Sequence, residues 1–441
     1  MANHSVIRIA KELADIQRGP DLSLAVACRD IDVRSVKAII IGPPDTPYEF
    51  GFFDFGVRFG KDYPTKAPSV IATTTNGGRC RFNPNIYATG KVCFTWRGER
   101  GEEWSSAQGL ESILISIQSL MSSNPYENEP GFETANDDHD RKNQKDYAAK
   151  IRHETLRISV IQRLEEYLNI SSTGAPPPYT PPSEDSDSDL DRDVLDDSAV
   201  AFEPFKDFCK RRFLWYYDSY LMAVEKARKE VKDLQPFARM PFEGGGNTME
   251  GKFDYTELER RLRFIRASLD AETAHWATEG LLSQKKESGV AANLQRQFEQ
   301  VVEAYKRDKS VTLDVELDNK NPFVWNITYF GRPMTNLDGG LFNIKLYFSP
   351  RFPEEQPRAK FQTPLFHHRI GLDGTPCYTS KRPDDAKSHI ESIIEALEEV
   401  SPPYDPRTLV NVEASKLFWG SVDDKKNYNR KLRRSVQSSM E

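Results

Sequence analysis

Apolar side chains at Ile9, Leu13 and Ile16, three and four residues apart, predict a short amphipathic helix over 7–17. The pattern then changes period. Runs of β-branched and aromatic residues at 36–41, 52–59 and 69–74 predict strands, with Gly42-Pro43-Pro44-Asp45-Thr46-Pro47 as a turn between the first two. Helical spacing returns at Leu110, Ile113, Leu114, Ile117, Leu120 and Met121. Helix, antiparallel strands, then helices is the order of an α+β unit. The same succession recurs downstream: Leu294, Phe298, Val301, Val302 and Tyr305 predict a helix, 311–317, 323–329 and 342–348 predict strands, and Ile390, Ile393, Ile394, Leu397 and Val400 predict a second helical stripe.

The recurrence reaches individual residues. Thr46, Gly51, Phe53, Pro64 and Pro68 match Thr335, Gly340, Phe342, Pro353 and Pro357 at a constant offset of 289 residues. The offset drops to 284 between Asn83 and His367 and between Cys93 and Cys377, so the second copy is five residues shorter across the turn-prone stretch 75–80. In both copies Phe precedes a three-residue corner, Ile follows it, Gly lies three before the cysteine, and the cysteine is ten past the first corner residue. A domain-scale internal repeat explains this better than chance.

Between the copies, 146–168 reads as helix, and 205–231 and 253–271 read as two more, the first rich in aromatics that belong in a core. The segment 171–200 is Pro-rich, then Ser- and Asp-rich, and buries too little to order itself. It also holds the charge: 183–197 carries eight acids and one base, which equals the net charge of −7 of the whole chain and leaves the remainder balanced. Bulk charge therefore gives no reason to expect a nucleic-acid partner. No apolar run approaches a membrane span, and the first ten residues lack the order of a signal peptide, so a membrane partner is not expected. The five cysteines, Cys28, Cys80, Cys93, Cys209 and Cys377, show no paired spacing; no metal site or cofactor is expected, and a reducing compartment, cytoplasmic and also nuclear, fits.

Asn83-Pro84-Asn85 with Cys93 resembles the corner of ubiquitin-conjugating enzymes, a His-Pro-Asn followed by a cysteine ten residues after the His, with the first residue changed. Tyr48-Glu49-Phe50-Gly51-Phe52-Phe53, Tyr63-Pro64-Thr65-Lys66-Ala67-Pro68 and Trp104-Ser105 are similar to the same family. With the lengthened loop 94–103, Asn124-Pro125-Tyr126-Glu127-Asn128-Glu129-Pro130-Gly131, Tyr216-Tyr217-Asp218 and Phe253-Asp254-Tyr255, residues 1–280 resemble the Z-type branch of that family, and 290–441 resemble a second, more divergent copy. The resemblance implies an α+β protein with two such folds, each an antiparallel four-stranded meander flanked by helices. Its domains would be a core at 1–170, a disordered acidic linker at 171–200, a helical extension at 201–285 and a divergent second core at 290–441.

It also implies a chemistry. Ubiquitin or a ubiquitin-like modifier would pass from an activating enzyme to Cys93 as a thioester, and then to a substrate lysine or a ubiquitin ligase; sulfur suits both steps because it is nucleophilic near neutral pH and its acyl ester remains reactive. ATP would be consumed by the activating enzyme. Asn85 would donate to the oxyanion, or brace the loop as a turn residue, and the two roles can coexist. Glu129, before Pro130, aligns with the family's acidic gate, or is a solvated loop charge. In the second copy Arg369 replaces the corner Asn, while Cys377 and an acid, Asp405, remain, so Cys377 is a second-domain candidate beside the reading of a degenerate binding module. Two other classes stand against the enzyme reading. A cysteine hydrolase would need a His base, yet the first 138 residues hold only His4. A non-catalytic adaptor would bind the modifier or a partner conjugating enzyme without needing Cys93.

Overall fold

The computed structural model describes residues 2–93, 104–134, 136–170, 202–244, 249–286, 289–307 and 312–440. The linker expected at 171–200 and the loop at 94–103 lie outside them. Two compact units divide the chain: Met1–Lys206 with Val224–Arg261, and Asp207–Ala223 with Leu262–Glu441.

In the first unit, helix α1 (Ala2–Arg18) precedes a meander of β1 (Leu24–Arg29), β2 (Asp32–Ile41), β3 (Phe52–Arg58) and β4 (Ser69–Ala72), antiparallel in sequence order. Period two aims Val36, Ala38 and Ile40 of β2 and their partners Val57, Phe55 and Phe53 of β3 at one face. α1 lays Ile9, Leu13 and Ile16 on that face, as does α2 (Leu110–Leu120) with Leu110, Ile113, Leu114 and Ile117. Glu12 of α1 ties the layers: its carboxylate accepts the Leu110 N–H at 2.9 Å, where the dipole of α2 favours a negative charge, and the Tyr63 hydroxyl at 2.7 Å. β1 is too short and too evenly half-buried to stand out in the sequence, and the pattern misses it.

The helix expected at 146–168 begins earlier, as α3 (Asp138–Glu154), and continues through a π-helical stretch (Thr155–Gln162) into α4 (Arg163–Leu168). α5 (Lys206–Glu230) and α6 (Tyr255–Lys285) each divide between the units, and α6 runs well beyond the expected 271.

The second unit repeats the plan with α7 (Gly289–Arg307), the meander β5 (Leu313–Asp318), β6 (Asn321–Phe330), β7 (Leu341–Tyr347) and β8 (Arg358–Phe361), then α8 (Ala386–Glu398), α9 (Val412–Phe418) and α10 (Val422–Ser438). Both β4 and β8 are only four residues long. Equivalent registers hold: Tyr329 faces Phe342, Ile327 faces Ile344 and Trp325 faces Leu346. The repeated glycines have a mechanical reason. Gly42 N–H donates to Gly51 O at 2.8 Å and Gly331 N–H to Gly340 O at 2.9 Å, closing the same turn, and a Cβ on either Gly42 or Gly331 would overlap the carbonyl oxygen of Tyr48 or Leu337.

Candidate active site

The cysteine loop is stitched to the fourth strand of its sheet. Ala72 N–H donates to Gly90 O at 2.8 Å, and Phe361 N–H donates to Gly374 O at 2.8 Å in the second copy. Both glycines have left-handed backbones, with φ of +87° and +85°, and a Cβ on Gly90 would stand 2.5 Å from the Ala72 oxygen. This is why Gly lies three residues before each cysteine.

The corner is built on Asn83, which is fully buried. Its Nδ2 donates to Leu120 O at 2.8 Å and to the Tyr48 hydroxyl at 3.0 Å, and its Oδ1 accepts the Asn85 N–H at 2.9 Å. Asn85 O in turn accepts the Cys93 N–H at 2.8 Å, so Asn85 and Cys93 are held side by side, both half-buried. Asn85 thus has the bracing backbone bonds of a turn residue, and its backbone is tied directly to that of Cys93. His367 does the same structural work in the second copy: its Nδ1 accepts the Arg369 N–H at 3.0 Å and its ring bonds to the Leu397 backbone, the counterpart of Leu120. An amide or a neutral imidazole can each offer one acceptor and one donor here, which explains the exchange of His for Asn.

Glu129 follows the short 3₁₀ turn Pro125–Asn128 and is not simply solvated. Its Oε2 pairs with Arg81 Nη2 at 3.1 Å, and the same nitrogen donates to Pro84 O at 2.6 Å. The Arg81 guanidinium lies over the Tyr87 ring, 4.6 Å from its centroid. The Tyr87 hydroxyl in turn hydrogen-bonds with the Cys93 side chain; burial first, then the neighbouring Cys93, push the Tyr87 phenol up. The motifs single out neither Arg81 nor Tyr87. The only trace of Arg81 is a cation between Cys80 and Phe82, and with Arg79 two residues before it nothing in the sequence tells a buried arginine from a solvated one.

The second copy keeps the frame and changes the exposure. Cys377 N–H donates to Arg369 O at 2.8 Å, but the Cys377 side chain is 1 % exposed. Arg212 and the buried Tyr216 of α5 act on it electrostatically, and Tyr216 donates to Arg407 O at 3.1 Å. Burial pushes the Cys377 thiol up, against the pull of Arg369, whose Nη1 is 3.9 Å from the sulfur. A sealed thiol with a raised pKa is the opposite of what an acyl acceptor needs. Asp405, the gate counterpart, accepts from the N–H and Nε of Arg407 at 2.9 and 2.8 Å.

Other groups have structural partners. Trp104 Nε1 donates to Pro64 O at 2.7 Å, in keeping with a packing role, while the exposed Ser105 braces the turn before α2, its N–H donating to Gln108 Oε1 at 3.0 Å. His153 is buried between Glu154 and the Asp254 N–H, not offered to a thiol. Asp137, His139 and Asp140 bring donor atoms within 4.8 Å of one another, but Asp137 already caps α3 through the Asp140 N–H. Among the described residues no helix is long and apolar enough to cross a membrane.

Comparison with known proteins agrees with this frame. The family described as ubiquitin-conjugating enzyme matches residues 8–155 and 293–436. The chain is 35 % identical over 301 residues to the human ubiquitin-conjugating enzyme E2 Z, covering 66 % of this chain and 71 % of that protein. It is 47 % identical over 165 residues to the Xenopus tropicalis E2 Z, covering 37 % of this chain and 52 % of that one. A match of 35 % identity over 168 residues, 36 % of this chain, reaches 4 % of the human dual E2 ubiquitin-conjugating enzyme/E3 ubiquitin-protein ligase BIRC6.

Proposed function

The chain belongs to the ubiquitin-conjugating enzyme family, and we propose that Cys93 carries ubiquitin or a ubiquitin-like modifier as a thioester and delivers it to a substrate lysine or to a ligase cysteine. The observation that carries this reading is a half-exposed Cys93 bonded through its backbone to Asn85, while the corresponding Cys377 is sealed. In the first step the Cys93 sulfur attacks the acyl carbon of the activating enzyme's thioester. The new C–S bond forms as the old one breaks, and the departing thiol takes up the proton that Cys93 gave up. In the second, an amine attacks the same carbon; negative charge gathers on the carbonyl oxygen, where the Asn85 amide donates without changing charge, and the bond to Cys93 sulfur breaks. The amine's proton leaves and the Cys93 thiol is restored. Glu129 prepares the incoming amine by contact and orientation.

Activating enzyme, modifier, ligase and protein substrates are the partners of this reaction, and its setting is the cytoplasm and nucleus, where unpaired thiols persist. The second unit serves as a non-catalytic module, a reading that the burial of Cys377 favours.

The test is a charging assay. The protein is incubated with activating enzyme, ATP and ubiquitin, and a reductant-sensitive adduct is sought for wild type, Cys93→Ser and Cys377→Ser. The expected result is that Cys93→Ser abolishes the thioester and Cys377→Ser leaves it. A thioester that survives Cys93→Ser and disappears with Cys377→Ser reverses the assignment; none on wild type favours the adaptor.

A further inference from the structure

A buried cation costs several kcal/mol to desolvate, so its presence in a core calls for a cause. The Arg81 side chain is 6 % exposed. It touches three parts of the proposed active site at once: the Pro84 carbonyl of the corner, the Glu129 carboxylate, and the face of Tyr87, whose hydroxyl meets Cys93. The internal repeat supplies the control. At the 284-residue offset Arg81 corresponds to Leu365, buried and apolar, and Tyr87 corresponds to Gly371. The second copy forms the same corner, with Cys377 N–H on Arg369 O and Arg369 N–H on His367. The fold of the corner therefore does not require a guanidinium at this position. A cation at this position accompanies the half-buried thiol; where the thiol is sealed the position is apolar, and the guanidinium nearby is instead that of Arg369, on the corner itself.

We propose that Arg81 is a positioning residue of the first unit, a buried guanidinium that holds the Glu129 carboxylate and the Tyr87 ring in one arrangement around Cys93 so that an acceptor amine meets both. The inference rests on Cys93 being the thioester site. Only arginine suits the position. Its planar face covers the ring while its edge donates to the carbonyl and the carboxylate, whereas a lysine ammonium could bond to oxygen but offers no plane to the ring.

The experiment uses the full chain as wild type, Arg81→Leu, Arg81→Lys, Glu129→Gln and Arg81→Leu/Glu129→Gln. Each is charged with ubiquitin by activating enzyme and ATP, the reaction is quenched, and discharge to free lysine is followed over a range of lysine concentrations, normalised to the charged fraction. The expected result is a fall of about tenfold or more in the saturating discharge rate for Arg81→Leu, with a smaller change in the half-saturating lysine concentration. Arg81→Lys should lie between it and wild type, and the double variant should be no slower than Arg81→Leu, because the two residues act as one unit. A discharge rate for charged Arg81→Leu within twofold of wild type overturns the proposal. So does a double variant whose losses multiply, or an Arg81→Lys as slow as Arg81→Leu. Should wild type fail to charge on Cys93, the reading of the site falls with it; normal charging with unaltered discharge sinks the Arg81 inference alone.

Discussion

Asn83 makes three hydrogen bonds from a fully buried side chain, and its replacement separates donor from acceptor roles. Asn83→Ala removes all three. Leu120 O still accepts from Asn128 Nδ2 at 2.8 Å and the Tyr48 hydroxyl still donates to Phe82 O at 2.7 Å, so the Asn85 N–H is the group left stranded. At about 1 kcal/mol net for each bond, the cost is about 3 kcal/mol, or a fall of about 6–12 °C in the melting of the first unit. Asn83→Asp is the sharper probe. It retains the acceptor for Asn85 but turns an acceptor toward Leu120 O and the Tyr48 oxygen and buries a charge, so it should cost more than Asn83→Ala, about 4 kcal/mol or above. Asn83→His should cost only about 1 kcal/mol, since imidazole can accept from Asn85 and donate to Leu120 as His367 does with Arg369 and Leu397, losing only the Tyr48 bond. Calorimetric melting, with amide hydrogen exchange on peptides spanning 48–93, gives the order. If Asn83→His melts below Asn83→Ala, or Asn83→Asp equals wild type, the corner is not held by this donor and acceptor pattern.

Three further outcomes follow from the packing. His367, His368 and His389 are held neutral by burial, down to about 3, about 2 and about 4, against about 6.5 when unfolded. Between those limits the unfolded chain binds more protons than the folded one, so the second unit loses stability as pH falls below about 6.5, by about 4 kcal/mol for the three at pH 5.5; urea midpoints at pH 7 and 5.5 test this, and an unchanged midpoint refutes it. The Lys150 ammonium, 0 % exposed, bonds to Glu243 at 2.5 Å, so Lys150→Met alone should cost about 3–5 kcal/mol in urea unfolding, and Lys150→Met/Glu243→Leu much less; equal losses would show that the pair is not coupled. Gly42→Ala and Gly331→Ala should each destabilise their own unit by about 3 kcal/mol, read by hydrogen exchange on the two turns, and a neutral result at either would mean that the turn can open to admit a methyl.

Much of the architecture was legible because each sheet buries one face. The alternation along β7 and most of β3, the apolar runs of β2 and β6 and the three-and-four spacing of α2 and α8 mark the elements, and the 289-residue register carries the strands from one copy to the other. The apolar pattern does not mark β1, β8 or the helices α9 and α10. The strands are short, and the helices carry few apolar anchors, such as Tyr428, Leu432 and Val436 among many charges.

The one-dimensional pattern determined where the cysteines fall relative to the corner residues, since backbone hydrogen bonds and a left-handed glycine set that spacing locally. Whether a thiol can be reached is not a local property. Only the tertiary structure decided that Cys377 is buried, within electrostatic reach of Arg212 and Tyr216 of α5, more than 150 residues earlier in the chain, while Cys93 remains half-buried. Only it joined Arg81 to Glu129 across an interval of 48 residues. Burial and charge pairing depend on what the whole chain brings into contact, and spacing along the backbone carries no record of that.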